Sequence, residues 1–445
     1  MDQPPNPTPR SFVYPWYVVV VLMLAQLVSF VDRQVITLLV QPIRADLEIN
    51  DTQMSLLMGF AFAVFYVSMG VPIARLADRH SRRTIIAIGI FLWSLATAAC
   101  GLARNFAQLF VARIAVGVGE ATLTPAAYSI IADYFPKDRL GRAIAVYATG
   151  VWLGSGLALI LGGAVIRLIS QAGAIDLPLI GVLAPWQLTF MVVAAPGLLL
   201  VAVMMLTVRE PARRNVIATA SNKGVPFKDV LKFMWSNRGT FGAIFFGYAT
   251  GGMAFYGFLA WVPEFIRRTH QWDISDAGTL FGTQLVILGT AGTYFGGWFS
   301  DWLTRRGYPD APLRSLAWFF GIAMPFMVAA PLMPTMTLCI PVLSLAVFTL
   351  SLQQALSPVA IQLFTPNQMR AQVMAIFFVI SVFCAIAFGS ASVAVLTDYV
   401  FRDDNDLRYS LAIVSAITMT LATISLSLGI KPYLQSLKRA ESWSE

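Results

Sequence analysis

Long apolar runs, separated by short polar turns, make up most of the chain. Within each run the apolar residues are continuous and do not alternate at every second position, which is typical of helices and not of barrel strands. A helix needs about 20 apolar residues to span a bilayer. The pattern therefore predicts twelve membrane-spanning helices, numbered 1–12 here, at 15–41, 53–74, 84–103, 107–133, 141–167, 184–208, 239–266, 277–303, 314–333, 337–363, 370–398 and 408–431.

The composition agrees with this pattern. Of the 445 residues, 57% are hydrophobic and only 12% are charged, whereas soluble domains carry about 25% charged residues. The three cysteines lie in apolar runs, and the two histidines lie at predicted helix ends, so no metal site and no cofactor is predicted. The fold class that we expect is an all-α membrane protein.

The basic residues predict the orientation of the helices. If the N-terminus is cytosolic, 22 of the 31 Lys and Arg residues lie at the cytosolic side and seven at the other side. The positive-inside rule then places both termini in the cytosol, and we expect a bacterial inner membrane. Topology accounts for the net charge of +8, so nucleic acid is not an expected partner.

The longest internal polar stretch divides the chain into two sets of six helices. We predict an N-terminal bundle at 1–208, a cytosolic linker at 209–238, and a C-terminal bundle with a cytosolic tail at 239–445. Within the linker, Phe227, Val230, Leu231, Met234 and Trp235 share one helical face, which predicts a short amphipathic helix on the inner membrane surface. A disordered linker is the alternative.

The two halves resemble each other in sequence. "ARLADRHSRR" at 74–83 follows helix 2, and "GWFSDWLTRR" at 297–306 follows helix 8, which aligns Asp78 with Asp301 and Arg82 with Arg305. Asn50 and Ser275 are expected N-caps of helices 2 and 8. Two pseudo-symmetric six-helix bundles in parallel repeat are typical of a transporter whose halves move about a central site by alternating access.

The loop after helix 2 is similar to the signature loop of the major facilitator superfamily, G-x-L-A-D-R-x-G-R-[KR], although Ala74 and Ser81 replace its glycines. The glycine-rich stretch "GVWLGSGLALILGG" at 150–163 is similar to helix 5 of that superfamily. The resemblance implies that Asp78, Arg82 and Asp133, with Asp301 in the second copy, form a latch that holds the halves in an outward-open state. Charged membrane anchors and helix caps are the alternative.

Two further stretches resemble the Spinster lineage of the superfamily. These are "FVDRQVITLL" in helix 1 and "RIAVGVGEATLTP" at 113–125 in helix 4. In that lineage an Asp-Arg pair occurs in helix 1 and a glutamate follows a glycine motif in helix 4. Animal members of the lineage are linked to export of lysophospholipid and sphingosine phosphate, and bacterial relatives to proton coupling. The resemblance therefore implies a lipid of this kind as the substrate and protons as the coupling ion, without a direction of transport.

Four charged residues lie deep inside predicted helices. They are Asp32 and Arg33 in helix 1 and Arg113 and Glu120 in helix 4. Each costs about 2.5–3.5 kcal/mol at the centre of a membrane helix, so a partner or a cavity is expected for each. At ~1.5 Å rise per residue, Asp32 and Arg33 lie between Glu120 and Arg113 in depth, and Arg113 is too far from Glu120 for an ion pair.

The resemblance places these charges on the transport path, because helices 1, 4, 7 and 10 line the cavity in this superfamily. We expect Arg33 and Arg113 to bind an anionic substrate group, since a guanidinium matches phosphate or carboxylate. Asp32 and Glu120 are expected to carry protons. A fixed ion-pair lattice that only positions helices 1 and 4 is the alternative for the two acids.

The second half offers polar and aromatic groups in place of mid-helix charges. Tyr256 and Gln353 are the substrate-binding candidates there. Charges on one side of a cavity and apolar surface on the other side suit an amphiphilic anion. The partners that we expect are this small substrate, protons and the lipid bilayer, with the protein as a monomer.

Other function classes fit the sequence less well. No nucleophile–base–acid set, metal-ligand spacing or phosphate-binding loop of an ATPase is present, so an enzyme and a primary pump are not predicted. The leading prediction is a proton-coupled transporter of an amphiphilic or organic anion. A facilitative uniporter and a drug exporter of broad specificity remain the alternatives.

Overall fold

The computed structural model describes residues 13–172, 175–177, 181–211, 225–354, 356–366 and 368–441. These residues are almost entirely helical, as the apolar runs predict, and the all-α prediction is confirmed. In the N-terminal half, helices 1–6 extend over Val13–Leu38, 51–79, Arg82–Cys100, Phe106–Tyr134, Lys137–Ala172 and Pro185–Thr207. In the C-terminal half, helices 7–12 extend over Arg238–His270, 274–305, Ala311–Leu332, Met336–Phe364, 370–401 and Leu407–Glu441.

Eleven helices among the described residues are long and apolar enough to cross a membrane. Helix 8 is not one of the eleven, because Gly, Thr and Ser residues lower its hydropathy. It is nevertheless a continuous helical segment made of Ile274–Gln284, a π-helical turn at Leu285–Gly289 and Thr290–Arg305.

Smaller elements connect these helices. A short helix, Val40–Leu47, follows helix 1, and two strands, Ile175–Leu177 and Gly181–Leu183, form an antiparallel hairpin between helices 5 and 6. The predicted linker helix forms at Phe227–Ser236, with Val230 buried and Phe227 and Trp235 exposed. The preceding linker segment, 212–224, lies outside the described residues.

The predicted cap of helix 2 is present, whereas that of helix 8 is wrong. Asn50 accepts a hydrogen bond from the Gln53 backbone N–H and forms a complete capping box. Helix 8 begins at Ile274, and its cap is Asp273, which accepts a hydrogen bond from the Ser275 N–H. The chain offers two suitable capping oxygens two residues apart, and the earlier one is used.

We call the helix ends near Val13 and Glu441 the predicted cytosolic end, and the opposite one the predicted outer end. The halves meet tightly where helix 5 crosses helix 8, towards the predicted outer end. A Cβ atom added to Gly156 would lie 2.4 Å from the Gly282 carbonyl oxygen, and one added to Gly278 would lie 2.9 Å from the Leu159 carbonyl oxygen. Glycine at these positions lets the two backbones touch.

Candidate functional site

The centre of the site is a buried ion pair between helices 1 and 4. Nη2 of Arg33 donates to Oε2 of Glu120 at 2.5 Å, and the Ser29 hydroxyl donates to the same oxygen at 2.7 Å. The Glu120 side chain is fully buried, whereas 11% of the Arg33 side chain is exposed. Oε1 of Glu120 has no hydrogen-bond partner among the described protein atoms, so this oxygen can accept a further hydrogen bond.

Asp32 and Arg113 lie next to this pair. Arg113 donates from Nη1 to the Asp32 carbonyl oxygen at 3.2 Å and from Nε to the Leu57 carbonyl oxygen at 3.3 Å. Leu57 belongs to a π-helical turn, Leu56–Phe60, an irregularity that frequently marks functional sites in helices. As expected from their depth, Arg113 and Glu120 both contact helix 1 instead of each other.

The Asp32 carboxyl group is isolated in the protein. It is 0% exposed, and neither of its oxygens has a hydrogen-bond partner among the described protein atoms. The Trp93 indole lies close enough to interact with it, yet Nε1 does not reach hydrogen-bonding geometry. A buried carboxyl group of this kind is costly to keep charged without a partner.

Aromatic rings surround the Arg33 guanidinium. Its central carbon lies 4.1 Å from the Phe62 ring centroid, 4.7 Å from that of Phe30 and 5.1 Å from that of Tyr66. Tyr256, from helix 7 in the other half, is also close enough to interact electrostatically with Arg33. The structure therefore brings one of the two candidates in the second half to the charged cluster.

Gln353, the other candidate, lies at a break in helix 10. Helix 4 stops at Glu120 and resumes at Leu123, and helix 10 stops at Ser351 and resumes after the break. Glu120 precedes Pro125 by five residues, as Gln353 precedes Pro358. Proline donates no backbone hydrogen bond, and a proline lies about one turn after each break. Gln353 is thus the counterpart of Glu120 in the repeat, with a buried Oε1 that has no described partner.

An apolar pocket lies between the halves on the side of the second bundle. The Trp152 ring of helix 5 meets the Phe255 ring of helix 7 edge to face at 6.0 Å. Further side chains of helices 7, 8 and 10 complete the lining, namely Phe258, Leu259, Phe281, Leu285, Val347 and Leu350. The site thus has a charged side on helices 1 and 4 and an apolar side on helices 5, 7, 8 and 10.

A second charged cluster joins the halves at the predicted outer end. Arg268 of helix 7 donates to both oxygens of the Asp51 carboxylate of helix 2, at 2.6 and 2.8 Å, and to Glu264 at 2.6 Å. Arg44 pairs with Asp51 at 3.0 Å and with Asp404 at 2.7 Å. We name these five residues the outer cluster. The sequence does not predict this cluster, because each of its members is an ordinary charge near a helix end.

The predicted latch residues lie at the other end. Arg82 donates to the Asp133 carboxylate, to the Ser129 hydroxyl at 2.8 Å and to Oε1 of Glu210 at 2.8 Å. These contacts stay within the N-terminal half and the start of the linker. The Asp78 side chain lies outside the described part of the structure, and Asp301 is exposed on helix 8.

Glu210 was not predicted and completes this arrangement. It accepts hydrogen bonds from the Ser81 hydroxyl at 3.0 Å and from the Arg83 backbone N–H at 2.8 Å, at the start of helix 3. Burial alone would raise the pKa of Glu210. The hydrogen bonds from Arg83, Arg82 and Ser81 outweigh burial and hold the pKa below its usual value.

Comparison with known proteins gives the family. The profile of the Major Facilitator Superfamily matches residues 22–390. An MFS-type efflux pump of Mycolicibacterium smegmatis is 28% identical over 394 residues, which cover 87% of this chain and 86% of that protein. A probable L-galactonate transporter of Escherichia coli is 22% identical over 425 residues, which cover 92% of this chain and 88% of that one.

A solved structure matches along nearly the whole length. It is a bacterial homologue of the human lysosomal transporter Spinster in an inward-facing and unoccupied conformation. The TM-score is 0.75 at 26% identity, over 96% of this chain and 98% of that chain. The relatives are transporters and not enzymes. The chain therefore belongs to the major facilitator superfamily, as a multi-pass membrane transporter that resembles the Spinster lineage.

Proposed function

We propose that this protein is a proton-coupled transporter of an amphiphilic or organic anion, and that the anion and Glu120 compete for Arg33. The observation that carries the proposal is the 2.5 Å contact between Arg33 and Glu120. A guanidinium held by a carboxylate binds a second anion weakly. Protonation of Glu120 removes that competitor and leaves the guanidinium available to a phosphate or carboxylate of the substrate.

Asp32 is the second candidate proton carrier in this proposal. Its oxygens have no described protein partner, and it lies beside Arg113, whose guanidinium is bonded to backbone carbonyls. A change in access of water to this region would change the stability of the charged carboxylate. We therefore assign Glu120 to the exchange between proton and substrate, and Asp32 to proton uptake that accompanies movement of the halves.

An amphiphilic substrate fits the two-sided site. Its anionic group would bind near Arg33, with Tyr256 and Gln353 as polar contacts from the second half. Its apolar part would enter the pocket between Trp152 and Phe255 when the halves separate. The charge asymmetry supports cytosolic termini, so the end at which the outer cluster joins the halves would face outwards.

Transport by purified protein in liposomes tests the proposal. Uptake of lysophosphatidylglycerol and of galactonate is measured with and without an imposed pH gradient, for the native chain, Glu120→Gln and the control Glu48→Gln. Glu48 is exposed at the predicted outer end. We expect the pH gradient to accelerate uptake of one probe by the native chain and the control, and to have no effect on Glu120→Gln.

Two outcomes would contradict the proposal. Equal acceleration in Glu120→Gln would remove the coupling role of Glu120. Counterflow that is insensitive to the pH gradient in the native chain would instead indicate a facilitative uniporter. The similarity to an efflux pump favours a drug exporter as the second candidate, which uptake of uncharged apolar dyes would support.

A further inference from the structure

Two of the three aromatic rings around Arg33 come from helix 2 and lie one turn apart. The rings of Phe62 and Tyr66 stack on each other, with centroids 4.9 Å apart and an interplanar angle of 25°. Phe62 is the nearest to Arg33, with its centroid 4.1 Å from Cζ, and it is 0% exposed. A buried cation within about 6 Å of a ring centroid is attracted by that ring. Phe62 therefore contributes most to holding the guanidinium from helix 2.

The glycine motif of helix 4 brings Phe62 to this position. A Cβ atom added to Gly117 would lie 2.5 Å from the Phe62 carbonyl oxygen, so a larger residue would push helix 2 away from helix 4. Gly117 belongs to the stretch "VGVGE", which ends at Glu120. The same short stretch thus supplies the acid that pairs with Arg33 and the space that lets the Phe62 ring reach Arg33.

The polar restraint on Arg33 depends on the charge of Glu120. Further charged or titratable groups face this pair from helices 1, 2, 4 and 7, and they are Asp32, Tyr66, Arg113 and Tyr256. Among the described residues, Glu120 is the only acid that forms an ion pair with Arg33. Protonation of Glu120 would therefore remove this ion pair, whereas the contact with the Phe62 ring does not depend on pH.

We propose that Phe62 is a positioning residue, which keeps the Arg33 guanidinium ready for the substrate anion after Glu120 has been protonated. The inference rests on the proposed function, in which the anion and Glu120 compete for Arg33. A guanidinium without any restraint would have to be ordered again when the anion binds, and this ordering lowers affinity. A ring attracts the cation without accepting the in-plane hydrogen bonds of the guanidinium, so its donors stay available to the anion.

Binding of lysophosphatidylglycerol and of galactonate to the purified full chain tests this role. Glu120→Gln is the parent, because it mimics the protonated acid and removes the ion pair. Phe62→Leu should weaken binding of the probe that the parent binds by about ten-fold, or about 1.4 kcal/mol, which lies within the range of a buried cation–π contact. Phe62→Tyr keeps the ring and should bind as the parent does.

Phe190→Leu in the same parent is the matched control. Phe190 is also 0% exposed, and its ring meets that of Trp186 in helix 6, with no described contact with Arg33. The control should bind the probe as the parent does. Equal affinity of Phe62→Leu and the parent would overturn the proposal, as would an equal loss of affinity in Phe62→Leu and Phe190→Leu.

Melting temperatures give a second readout that needs no ligand. In the Glu120→Gln parent, Phe62→Leu should lower the melting temperature, and the decrease should be smaller when Arg33→Gln is also present, because the ring then has no cation to contact. An equal decrease with either residue at position 33 would overturn the proposal, since Phe62 would then only fill space. If the parent bound neither probe more tightly than the native chain at pH 8, the competition between anion and Glu120 would fail, and the melting temperatures would still show whether Phe62 holds Arg33.

Discussion

Arg268 and Asp51 form a bidentate ion pair between the two halves of the transporter, with N–O distances of 2.6 and 2.8 Å. The side chain of Arg268 is 3% exposed and that of Asp51 is 0% exposed. Helix 7 is thereby fixed to helix 2 at the predicted outer end. A bidentate pair requires one orientation of both groups, so it stabilises one relative position of the halves.

Asp51→Asn should open the predicted outer end. The substitution leaves Arg268 and Arg44 without the carboxylate that both contact, and breaking a buried pair from one side costs about 3–5 kcal/mol. Spin labels at Ala45→Cys and Asn405→Cys, in a chain without native cysteines, measure the separation of the halves. We expect the distribution to shift to longer distances.

Asp46→Asn is the matched control for this experiment. Asp46 accepts a hydrogen bond from Nε1 of Trp186 at 2.8 Å, a contact within the N-terminal half. The control should leave the label distances unchanged. If Asp51→Asn and Asp46→Asn both gave the same distribution of label distances as the native sequence, the outer cluster would not hold the halves together.

The close packing of helices 5 and 8 should also hold the halves together at the predicted outer end, and here the reason is steric. A Cβ on residue 282 would lie 2.4 Å from the Gly156 carbonyl oxygen, so Gly282→Ala forces the helices apart. Overpacking of this kind costs about 1–3 kcal/mol. The melting temperature of the purified protein should fall, and the same spin labels should report a wider outer end.

Gly297→Ala controls for the loss of glycine from the same helix. A Cβ at residue 297 would meet no atom within 4 Å. Alanine favours the helix over glycine by about 1 kcal/mol, so this variant should be as stable as the native chain or more stable. A similar loss of stability in both variants would contradict the steric argument.

Arg33 and Glu120 should be energetically coupled. Arg33→Gln and Glu120→Gln each leave one buried charge without its partner, whereas the double variant removes both charges. The double variant should therefore be less destabilised than the sum of the single variants, by about 0.5–3 kcal/mol. Chemical unfolding in detergent, followed by tryptophan fluorescence, measures the free energies of unfolding of the native chain and the three variants.

Arg33→Gln combined with Asp46→Asn provides the reference cycle. Asp46 bonds to Trp186 and has no described contact with Arg33, so the effects of this pair should add. Additive effects for Arg33 with Glu120 as well would mean that the ion pair contributes nothing measurable to stability.

The sequence predicted the buried charges but only part of their pairing. Depth along the helices placed Asp32 and Arg33 between Arg113 and Glu120, because rise per residue is fixed in a helix. Which of two adjacent residues meets Glu120 depends on helix rotation, which packing decides. The apolar period of a membrane helix carries little information on rotation, because lipid and core are equally apolar.

The outer cluster could not be predicted for a different reason. Asp51 at the first turn of helix 2 and Arg268 at the last turn of helix 7 both satisfy the helix dipole, so neither stands out in the sequence. Their contact joins residues 217 positions apart. Only the relative placement of the two bundles brings them together.

Glu210 should stabilise the N-terminal half in a pH-dependent manner. Burial raises the pKa of Glu210, but hydrogen bonds from Arg83, Arg82 and Ser81 outweigh this effect and hold the pKa below the usual 4.5. An acid with a lowered pKa in the folded state stabilises the protein above its unfolded pKa, and this contribution disappears as the pH falls through the folded value. Glu210→Gln should therefore lower the melting temperature at pH 7 and have a smaller effect near pH 4.

Asp229→Asn tests whether the loss of any carboxylate in the linker region has this effect. Asp229 is exposed on the linker helix. The control should change the melting temperature little at either pH. If the difference in melting temperature between the native chain and Glu210→Gln grew towards pH 4, the hydrogen bonds to Glu210 would not account for its contribution to stability.

Gln353→Glu should show why the repeat carries a carboxylate in one half only. Gln353 is the counterpart of Glu120 at the break of helix 10, and it is 3% exposed. Glu120 is stabilised by Arg33, whereas no described basic side chain pairs with residue 353 or donates a hydrogen bond to it. A charged glutamate there would be buried without a partner, so we expect a loss of stability of a few kcal/mol at pH 8. Protonation removes the charge, so the loss measured by thermal unfolding should shrink at pH 5.

Gln354→Glu, at the adjacent and more exposed position, should cost less at pH 8. Equal stability of the native chain and Gln353→Glu at both pH values would mean that this break can accommodate a carboxylate without an arginine.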